Sequence, residues 1–211
     1  MKLPAHISKI VEGLAFVEDK IGRSYNQTYI FEDKYVLKIS SDINSLKREK
    51  ERNDWLLDKL PVPKSIAFIE ECDKAFYLKS FIKGEMLINE KTKENPELLV
   101  NILGQAVRLL KSLDQCDCPF NSLDNEGNSF VHGDFCLPNI LIGENNQIVG
   151  FVDLDNCGLG DPWYDYAWAL WSLEYNLGTK KYNNLFLKEI DLVFDEEKYN
   201  MYIPKEYRKN D

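Results

Sequence analysis

The first eighty residues have the hydrophobic pattern of a small antiparallel sheet that carries one helix. Five short runs rich in β-branched and aromatic residues are separated by turn-forming residues, and each run predicts a strand. They cover residues 14–20, 27–32, 35–40, 66–71 and 75–81. Apolar residues at helical spacing predict a short opening helix around residues 7–14. A second, charged amphipathic helix is predicted over residues 44–60, ended by Pro61.

The pattern becomes mainly helical after residue 83. Residues 96–113 carry an apolar stripe typical of a buried helix, and two further helices are predicted over 161–177 and 181–193. Two short strands, 140–142 and 148–152, are expected on either side of a turn. The sequence therefore predicts an α+β chain with an N-lobe over residues 1–81 and a reduced helical C-lobe over residues 82–211.

Composition indicates a folded cytoplasmic protein with reduced thiols. Of the 211 residues, 44% are hydrophobic, which is enough for a sizeable core. The formal charge of −9 disfavours nucleic acid and anionic membranes as partners and would favour a cationic substrate, although ordinary acidity of a cytosolic protein explains it as well. The five cysteines form no disulfide framework or zinc motif, and we expect neither a secretory signal nor a membrane span.

The most specific chemical signal is a set of two carboxylates and one amide. Asp134 follows His132-Gly133, Asn139 lies five positions later, and Asp153 follows an apolar strand. Phosphoryl transfer needs one Asp to orient an attacking hydroxyl, and Asn and Asp oxygens to hold Mg²⁺ on nucleotide phosphates. A turn-capping Asp is the alternative for Asp134 alone, but the whole set favours phosphoryl transfer.

A second candidate group lies in the predicted N-lobe. Lys38 is a charged residue in an apolar strand, where it could contact nucleotide phosphates and pair with a Glu of the following helix. Glu49 is the preferred partner and Glu51 the second choice, although both could be solvated members of a charged run. Ser24, in a Gly-containing turn, could cover the phosphates, or the turn could simply join two strands.

Asp161 and Asp165 have mainly structural interpretations. Asp161-Pro162 is typical of a helix start, with Asp at the N-cap and Pro at the first helical position, and Asp161 could also bond to the loop around Asp134. Asp165 is expected to be structural. Trp163, Trp168 and Trp171 are expected in the core, or in an exposed dimerising patch if the lobe is too small to bury them.

The motifs around these residues resemble the aminoglycoside phosphotransferase family, small-molecule kinases similar in fold to protein kinases. The resemblance covers nearly the whole chain. It is carried by Val131-His132-Gly133-Asp134 with Asn139, by Gly150-Phe151-Val152-Asp153 with Gly158, Asp161 and Trp163-Tyr164-Asp165, and, for the branch that phosphorylates the 3′-hydroxyl, by 48–50, 59–64 and 116–122.

The resemblance implies specific roles for the residues near Asp134. By it, Asp134 is the catalytic Asp, while Asn139 and Asp153 are Mg²⁺ ligands. It also implies that ATP or GTP is the phosphoryl donor and that the acceptor is a small, cationic molecule, with an aminoglycoside antibiotic as the first candidate.

The resemblance implies a nucleotide site in the N-lobe as well. Lys38 with Glu49 would form the phosphate-binding pair, and Ser24 would lie over the phosphates. The backbone from Ser80 to Ile82 would contact the adenine.

Two departures from the 3′ branch concern the acceptor side. Members of that branch carry several dozen mostly helical residues before the His-Gly-Asp loop, and here only residues 123–131 intervene. Asp155-Asn156 replaces a Gly-Arg that the branch favours. Three hypotheses follow: an aminoglycoside kinase, a metabolic kinase of another alcohol, or a nucleotide-binding protein without catalysis. The acceptor, the ATP or GTP preference and the oligomeric state stay open.

Overall fold

The structure, a computed structural model, describes residues 2–19, 27–123 and 126–207. The chain divides into two compact units, Met1–Lys83 and Gly84–Asp211. The sequence places the boundary two residues earlier, and the roles of the two units in binding stay predictions. Within the described ranges, no helix has both the length and the apolar character needed to cross a bilayer.

The first unit contains the five-stranded antiparallel sheet that the sequence predicts. Its strands are β1 (Phe16–Asp19), β2 (Gln27–Phe31), β3 (Tyr35–Ser40), β4 (Ser65–Glu71) and β5 (Lys74–Ser80). They are arranged in the order β1-β2-β3-β5-β4, and every neighbouring pair is antiparallel. Glu32 and Asp33, with φ of 44° and 52°, form the left-handed turn between β2 and β3.

Two helices cover opposite faces of this sheet. Because side chains alternate along a strand, Leu37 and Leu78 pack with Ile7 of α1 (Ala5–Ile10), whereas Tyr77 packs with Leu46 of α2 (Ile43–Leu56). The prediction that the second helix reaches residue 60 is wrong. The chain leaves the helix at Leu57, with ψ of 133°, and the next residue has positive φ.

The second unit contains five helices among the residues described. They are α3 (Glu90–Glu94), α4 (Pro96–Lys111), α5 (Trp163–Leu177), α6 (Asn183–Glu189) and α7 (Glu196–Tyr202). The predicted apolar stripe of α4 is buried, including Leu99, Leu103 and Leu110. The helix predicted over 181–193 is shorter because Asp191 has a left-handed φ of 56°.

Two small sheets frame the segment 132–139. β6 (Glu85–Met86), β8 (Ile140–Ile142) and β9 (Ile148–Phe151) form a three-stranded antiparallel sheet, and β7 (Ser129–Val131) pairs with β10 (Gly158–Gly160). The segment therefore leaves β7 in one sheet and enters β8 in the other. The β8–β9 hairpin is the pair of short strands that the sequence predicts.

The aromatic residues of α5 are covered in part by the end of the chain. The tryptophans at 163, 168 and 171 are half-buried. The Tyr202 ring packs on Tyr164 with centroids 5.4 Å apart, and Trp171 Nε1 donates to the backbone O of Tyr207 at 2.8 Å. Dimerisation through this helix stays a prediction.

Candidate active site

The segment 132–139 begins with a backbone conformation that favours glycine. Gly133 has a φ of +83°, in the left-handed region. A Cβ at this position would lie 2.4 Å from the backbone O of Asn156. Asn156 also binds the segment directly, because its Nδ2 donates to the O of Gly133 at 3.1 Å, while its Oδ1 accepts from the N–H of Leu123 at 2.6 Å. The start of the segment is thus closely packed against the backbone that follows β9.

A buried carboxylate of α5 holds the same backbone from another direction. Asp165 accepts from the N–H of His132 at 2.6 Å and from the N–H of Gly133 at 3.0 Å. Burial raises the pKa of Asp165 to about 7, while these two hydrogen bonds favour the charged form and oppose that rise. Asp165 therefore fixes two consecutive peptide groups just before Asp134.

The structure places the start of α5 one residue later than Asp161-Pro162 predicts. Asp161 bonds to the N–H of Trp163 at 3.0 Å, to the Lys198 ammonium and to the Tyr202 hydroxyl, the last at 3.0 Å. The helix begins at Trp163, so Pro162 takes the N-cap position. Asp165, one helical turn further on, contacts the loop before Asp134, whereas the loop contact considered for Asp161 stays a prediction.

Asp134 and Asn139 lie in direct contact. The Nδ2 of Asn139 donates to the backbone O of Asp134 at 2.9 Å and to its Oδ2 at 2.7 Å. Burial raises the pKa of the Asp134 carboxyl and the Asp153 charge raises it further, whereas the hydrogen bonds of Cys136 and Asn139 lower it. Cys136 is a contributor to this environment that sequence reasoning missed. The arrangement orients one carboxylate oxygen and makes the carboxylate more basic than an exposed Asp.

Asp153 completes this group from the end of β9. It has a left-handed φ of +61°, uncommon for a non-glycine residue, and the preceding N–H of Val152 donates to the O of Asn139 at 3.0 Å. The negative charge of Asp153 acts on both Asp134 and His132. The sequence-predicted trio is therefore brought together in the second unit.

The donor set of this group fits Mg²⁺. Because Asn139 Nδ2 is turned toward Asp134, its Oδ1 is the atom that can coordinate a metal, and Asp153, whose charge acts on Asp134, supplies a carboxylate. Mg²⁺ is commonly bound by one or two carboxylates together with substrate phosphates. No group of three or more His, Cys, Asp or Glu side chains in the described ranges could hold a metal by itself. The ligand roles of Asn139 and Asp153 stay predictions.

His132 has a packing role. It is fully buried, with ring centroids 5.8 Å from Phe135 and 6.0 Å from Phe151. Burial lowers its pKa to about 4, so the imidazole is neutral at ordinary pH. Its Nδ1 accepts from the N–H of Asp134 at 3.3 Å, which helps to position that residue.

In the first unit, the structure brings Lys38 and Glu49 together and adds a second lysine. Lys38 Nζ donates to Glu49 Oε2 at 2.8 Å, and Lys79 Nζ donates to the other oxygen, Oε1. Glu49 is 2% exposed and Lys79 is 2% exposed, so this ion pair is buried. Sequence reasoning missed Lys79, although it interrupts an apolar strand just as Lys38 does.

The same face of α2 is fixed by a neutral contact one turn later. Asn53 Nδ2 donates to the Tyr77 hydroxyl at 2.9 Å, and Ser65 Oγ lies 2.8 Å from that hydroxyl. Burial raises the pKa of Tyr77 to about 12, so the hydroxyl keeps its proton. Glu49 is therefore presented to β3 and β5 by a helix that is anchored at two successive turns.

The remaining predicted nucleotide contacts lie at the end of β5. The N–H of Ser80 donates to the O of Lys64 at 2.8 Å, and the N–H of Phe81 donates to the O of Lys34 at 2.9 Å. These two N–H groups are engaged within the first unit, but a backbone carbonyl has two lone pairs and can accept from an adenine amino group, so the adenine contact of the Ser80 to Ile82 backbone stays a prediction. Ser24 lies outside the described residues, and its role stays a prediction.

Comparison with known protein sequences identifies relatives along most of the chain. The model of the phosphotransferase enzyme family (APH) matches residues 21–128 and 123–196. A probable aminoglycoside 3′-phosphotransferase of Lactococcus lactis is 29% identical over 73% of this chain and 74% of its own length. An aminoglycoside 3′-phosphotransferase of Enterococcus faecalis is 26% identical over 96% of this chain and 97% of its own length.

The Enterococcus faecalis relative contains residues that this chain lacks. That match extends over 256 positions, whereas the chain has 211 residues, so at least 45 positions have no counterpart here. The family match is divided at residues 123–128. This is the segment in which the sequence indicates that the helical insert of the 3′ branch is missing.

Solved structures give the fold. An aminoglycoside-3′-phosphotransferase of type VIII superposes with a TM-score of 0.76 at 20% identity, covering 93% of this chain and 94% of that one. The phosphotransferase APH(3″)-Id of Streptomyces rimosus, in complex with ADP and streptomycin, has a TM-score of 0.75 at 17% identity, covering 93% of each chain. The α+β, protein-kinase-like fold is thereby confirmed. With the family match over more than half of its length, this chain belongs to the phosphotransferase enzyme family.

Proposed function

We propose that this protein transfers the γ-phosphoryl group of ATP or GTP to a hydroxyl of an aminoglycoside. The observation that carries the proposal is the bond between Asn139 Nδ2 and Asp134 Oδ2, at 2.7 Å, beside the Asp153 carboxylate. One carboxylate is oriented by an amide, and a second carboxylate and the amide oxygen are available to a metal. Phosphoryl transfer requires these two roles, one group that orients the acceptor hydroxyl and others that hold the metal on the phosphates.

In this proposal Asp134 receives the proton of the acceptor hydroxyl or orients that hydroxyl for attack. Its raised pKa makes it a stronger base than an exposed Asp, and the Asn139 hydrogen bond fixes which oxygen can face the acceptor. Asp165 and Gly133 act through the backbone that carries Asp134. Mg²⁺, held by Asn139 and Asp153, would neutralise charge on the nucleotide phosphates.

The first unit would supply the nucleotide contacts. Lys38 is assigned to the phosphates and Glu49 holds it, while the Ser80 to Ile82 backbone is assigned to the base and Ser24 to the phosphates. The charge distribution supports an anionic ligand here and a cationic one on the other unit. Residues 1–83 contain 15 Lys+Arg and 13 Asp+Glu, whereas residues 84–211 contain 11 and 22.

The acceptor class rests on this charge and on the relatives. A net charge of −11 on residues 84–211, from 11 cationic and 22 acidic side chains, suits a polycationic acceptor. The matched relatives are named as aminoglycoside 3′-phosphotransferases, so the 3′-hydroxyl is the expected position.

A second candidate, a kinase of another alcohol, is supported by the shortened segment. The division of the family match at residues 123–128 falls where the 3′ branch carries part of its acceptor wall. A smaller wall would favour a smaller acceptor, such as an amino alcohol.

The test is an acceptor screen with purified protein and Mg-ATP or Mg-GTP. Kanamycin, streptomycin, amino alcohols and sugars are compared by release of nucleoside diphosphate and by the mass of the product. A singly phosphorylated aminoglycoside supports the proposal, and product NMR identifies the hydroxyl. Phosphorylation of only a smaller alcohol supports the second candidate. Nucleotide binding without any product would contradict both and favour a protein that binds nucleotide without catalysis.

A further inference from the structure

Lys79 is a buried lysine for which neither the family motifs nor the proposed reaction gives a role. It lies on β5 opposite Val36 of β3, and its side chain is 3% exposed, compared with 11% for Lys38. Its ammonium donates to Glu49 Oε1, while Lys38 holds Oε2. The more deeply buried lysine of the pair is therefore the unassigned one.

Burying the charged side chain of Lys79 costs free energy, and a packing role alone does not explain why a lysine stands there. Lysine is almost never fully buried, and a buried ion pair is often no more stable than apolar residues of similar volume. The neighbouring positions on this face show that apolar filling is possible, because Tyr77 packs there with Leu46. The charge of Lys79, rather than its volume, is what distinguishes the site.

The arrangement on Glu49 suggests what that charge does. The Lys38 ammonium has three N–H donors, so it can bind Glu49 Oε2 and a phosphate oxygen at the same time if the Glu49 carboxylate stays in place. Lys79 on Oε1 fixes the second oxygen of Glu49, and the three side chains together carry one net formal positive charge.

We propose that Lys79 is a positioning residue for nucleotide binding: it holds Glu49 so that Lys38 can engage the phosphates. This inference rests on the proposed function, since it takes a nucleotide as the ligand of Lys38. Its consequence is specific. Removing the Lys79 charge leaves the Glu49 carboxylate less firmly oriented toward Lys38, so the loss of affinity should depend on the phosphates of the ligand and not on its base.

The test measures binding of adenosine, ADP and ATP to the full chain by calorimetry or NMR titration. Lys79→Met removes the charge and the hydrogen bond, and Lys79→Gln keeps a hydrogen-bond donor without the charge. Lys74→Met, at the exposed start of the same strand, is the matched control. We expect both neutral variants at position 79 to bind ADP and ATP about tenfold more weakly, the loss of one charge-assisted contact, with adenosine affinity unchanged.

The outcomes distinguish a failure of the role proposed for Lys79 from a failure of the proposed function. Wild-type affinity for ADP in the Met and Gln variants would overturn the role of Lys79. An equal loss for adenosine and ADP would also overturn it, because it would indicate a contact to the base or a general structural defect. If Lys79→Met does not fold, Lys79→Gln gives the same decision. If the wild-type protein binds no nucleotide at all, the proposed function itself fails.

Discussion

Replacing Gly133 by alanine tests whether the backbone next to Asp134 is as tightly held as the structure shows. Two separate costs follow from the coordinates. The φ of +83° is strained for alanine by about 1–2 kcal/mol. The new Cβ would also lie 2.4 Å from the backbone O of Asn156, and overpacking of this kind costs about 1–3 kcal/mol. The free energy of unfolding should therefore fall by about 2–5 kcal/mol.

Gly178 provides the control that separates these costs. It ends α5 with a φ of +70°, and a Cβ there would meet nothing within 4 Å. Gly178→Ala should therefore show only the conformational cost of about 1–2 kcal/mol. Urea denaturation of both variants gives the comparison, and the difference between them measures the collision with Asn156.

Gly133→Ala should also affect the reaction rate, because Asp134 is the next residue in the chain. A displacement of about 1 Å in a catalytic group can lower the rate about 10²-fold. We expect kcat to fall by this order, while the KM for nucleotide changes little because Lys38 and Glu49 lie in the other unit. Equal destabilisation of the two glycine variants, with unchanged kcat, would refute the inferred close packing and its role.

Two further predictions concern buried polar groups. Burial raises the pKa of Asp165 from 3.8 to about 7, so the folded state keeps a proton that the unfolded state has lost between these values. The stability that this proton contributes is present below about pH 4 and is lost as the pH rises to about 7. Asp165→Asn should remove this dependence of the free energy of unfolding on pH, as measured by denaturation at about pH 5 and about pH 8. Tyr77→Phe removes the hydroxyl that Asn53 and Ser65 contact, and calorimetry should show a loss of about 1–3 kcal/mol, whereas an unchanged melting temperature would mean that this network does not anchor α2.

Much of the fold could be predicted from local patterns. The runs of β-branched and aromatic residues in β3 and β5 and the apolar stripe of α4 are properties of the sequence itself, so the sheet and the buried helix followed from them. The strands β7 and β10 could not be predicted in the same way. Each has three residues, and Gly158–Gly160 has little strand propensity of its own, so it exists because it pairs with β7. Helix α7 likewise depends on the packing of Tyr202 against Tyr164.

The residues of the candidate site could be predicted where they belong to a sequence motif. They could not be predicted where only tertiary contacts bring them to the site. The spacing of Asp134 and Asn139 placed them in one loop, and their hydrogen bond follows from that proximity. The contact of Asp165 with two N–H groups more than thirty residues earlier left no local signal. Lys79 did leave one, a lysine inside an apolar strand, but only the position of Glu49 gives that signal a meaning.

Substitution of Asp134 by asparagine tests the central claim most directly. It keeps the size of the side chain and removes the base, and Glu144→Gln, at an exposed position of the same unit, is the control for loss of one charge. With the acceptor that the screen identifies, we expect Asp134→Asn to lower kcat by about 10²–10⁴-fold while ADP binding stays near that of the wild type. A variant that phosphorylates the acceptor at the wild-type rate would contradict the assignment of Asp134 and the mechanism built on it.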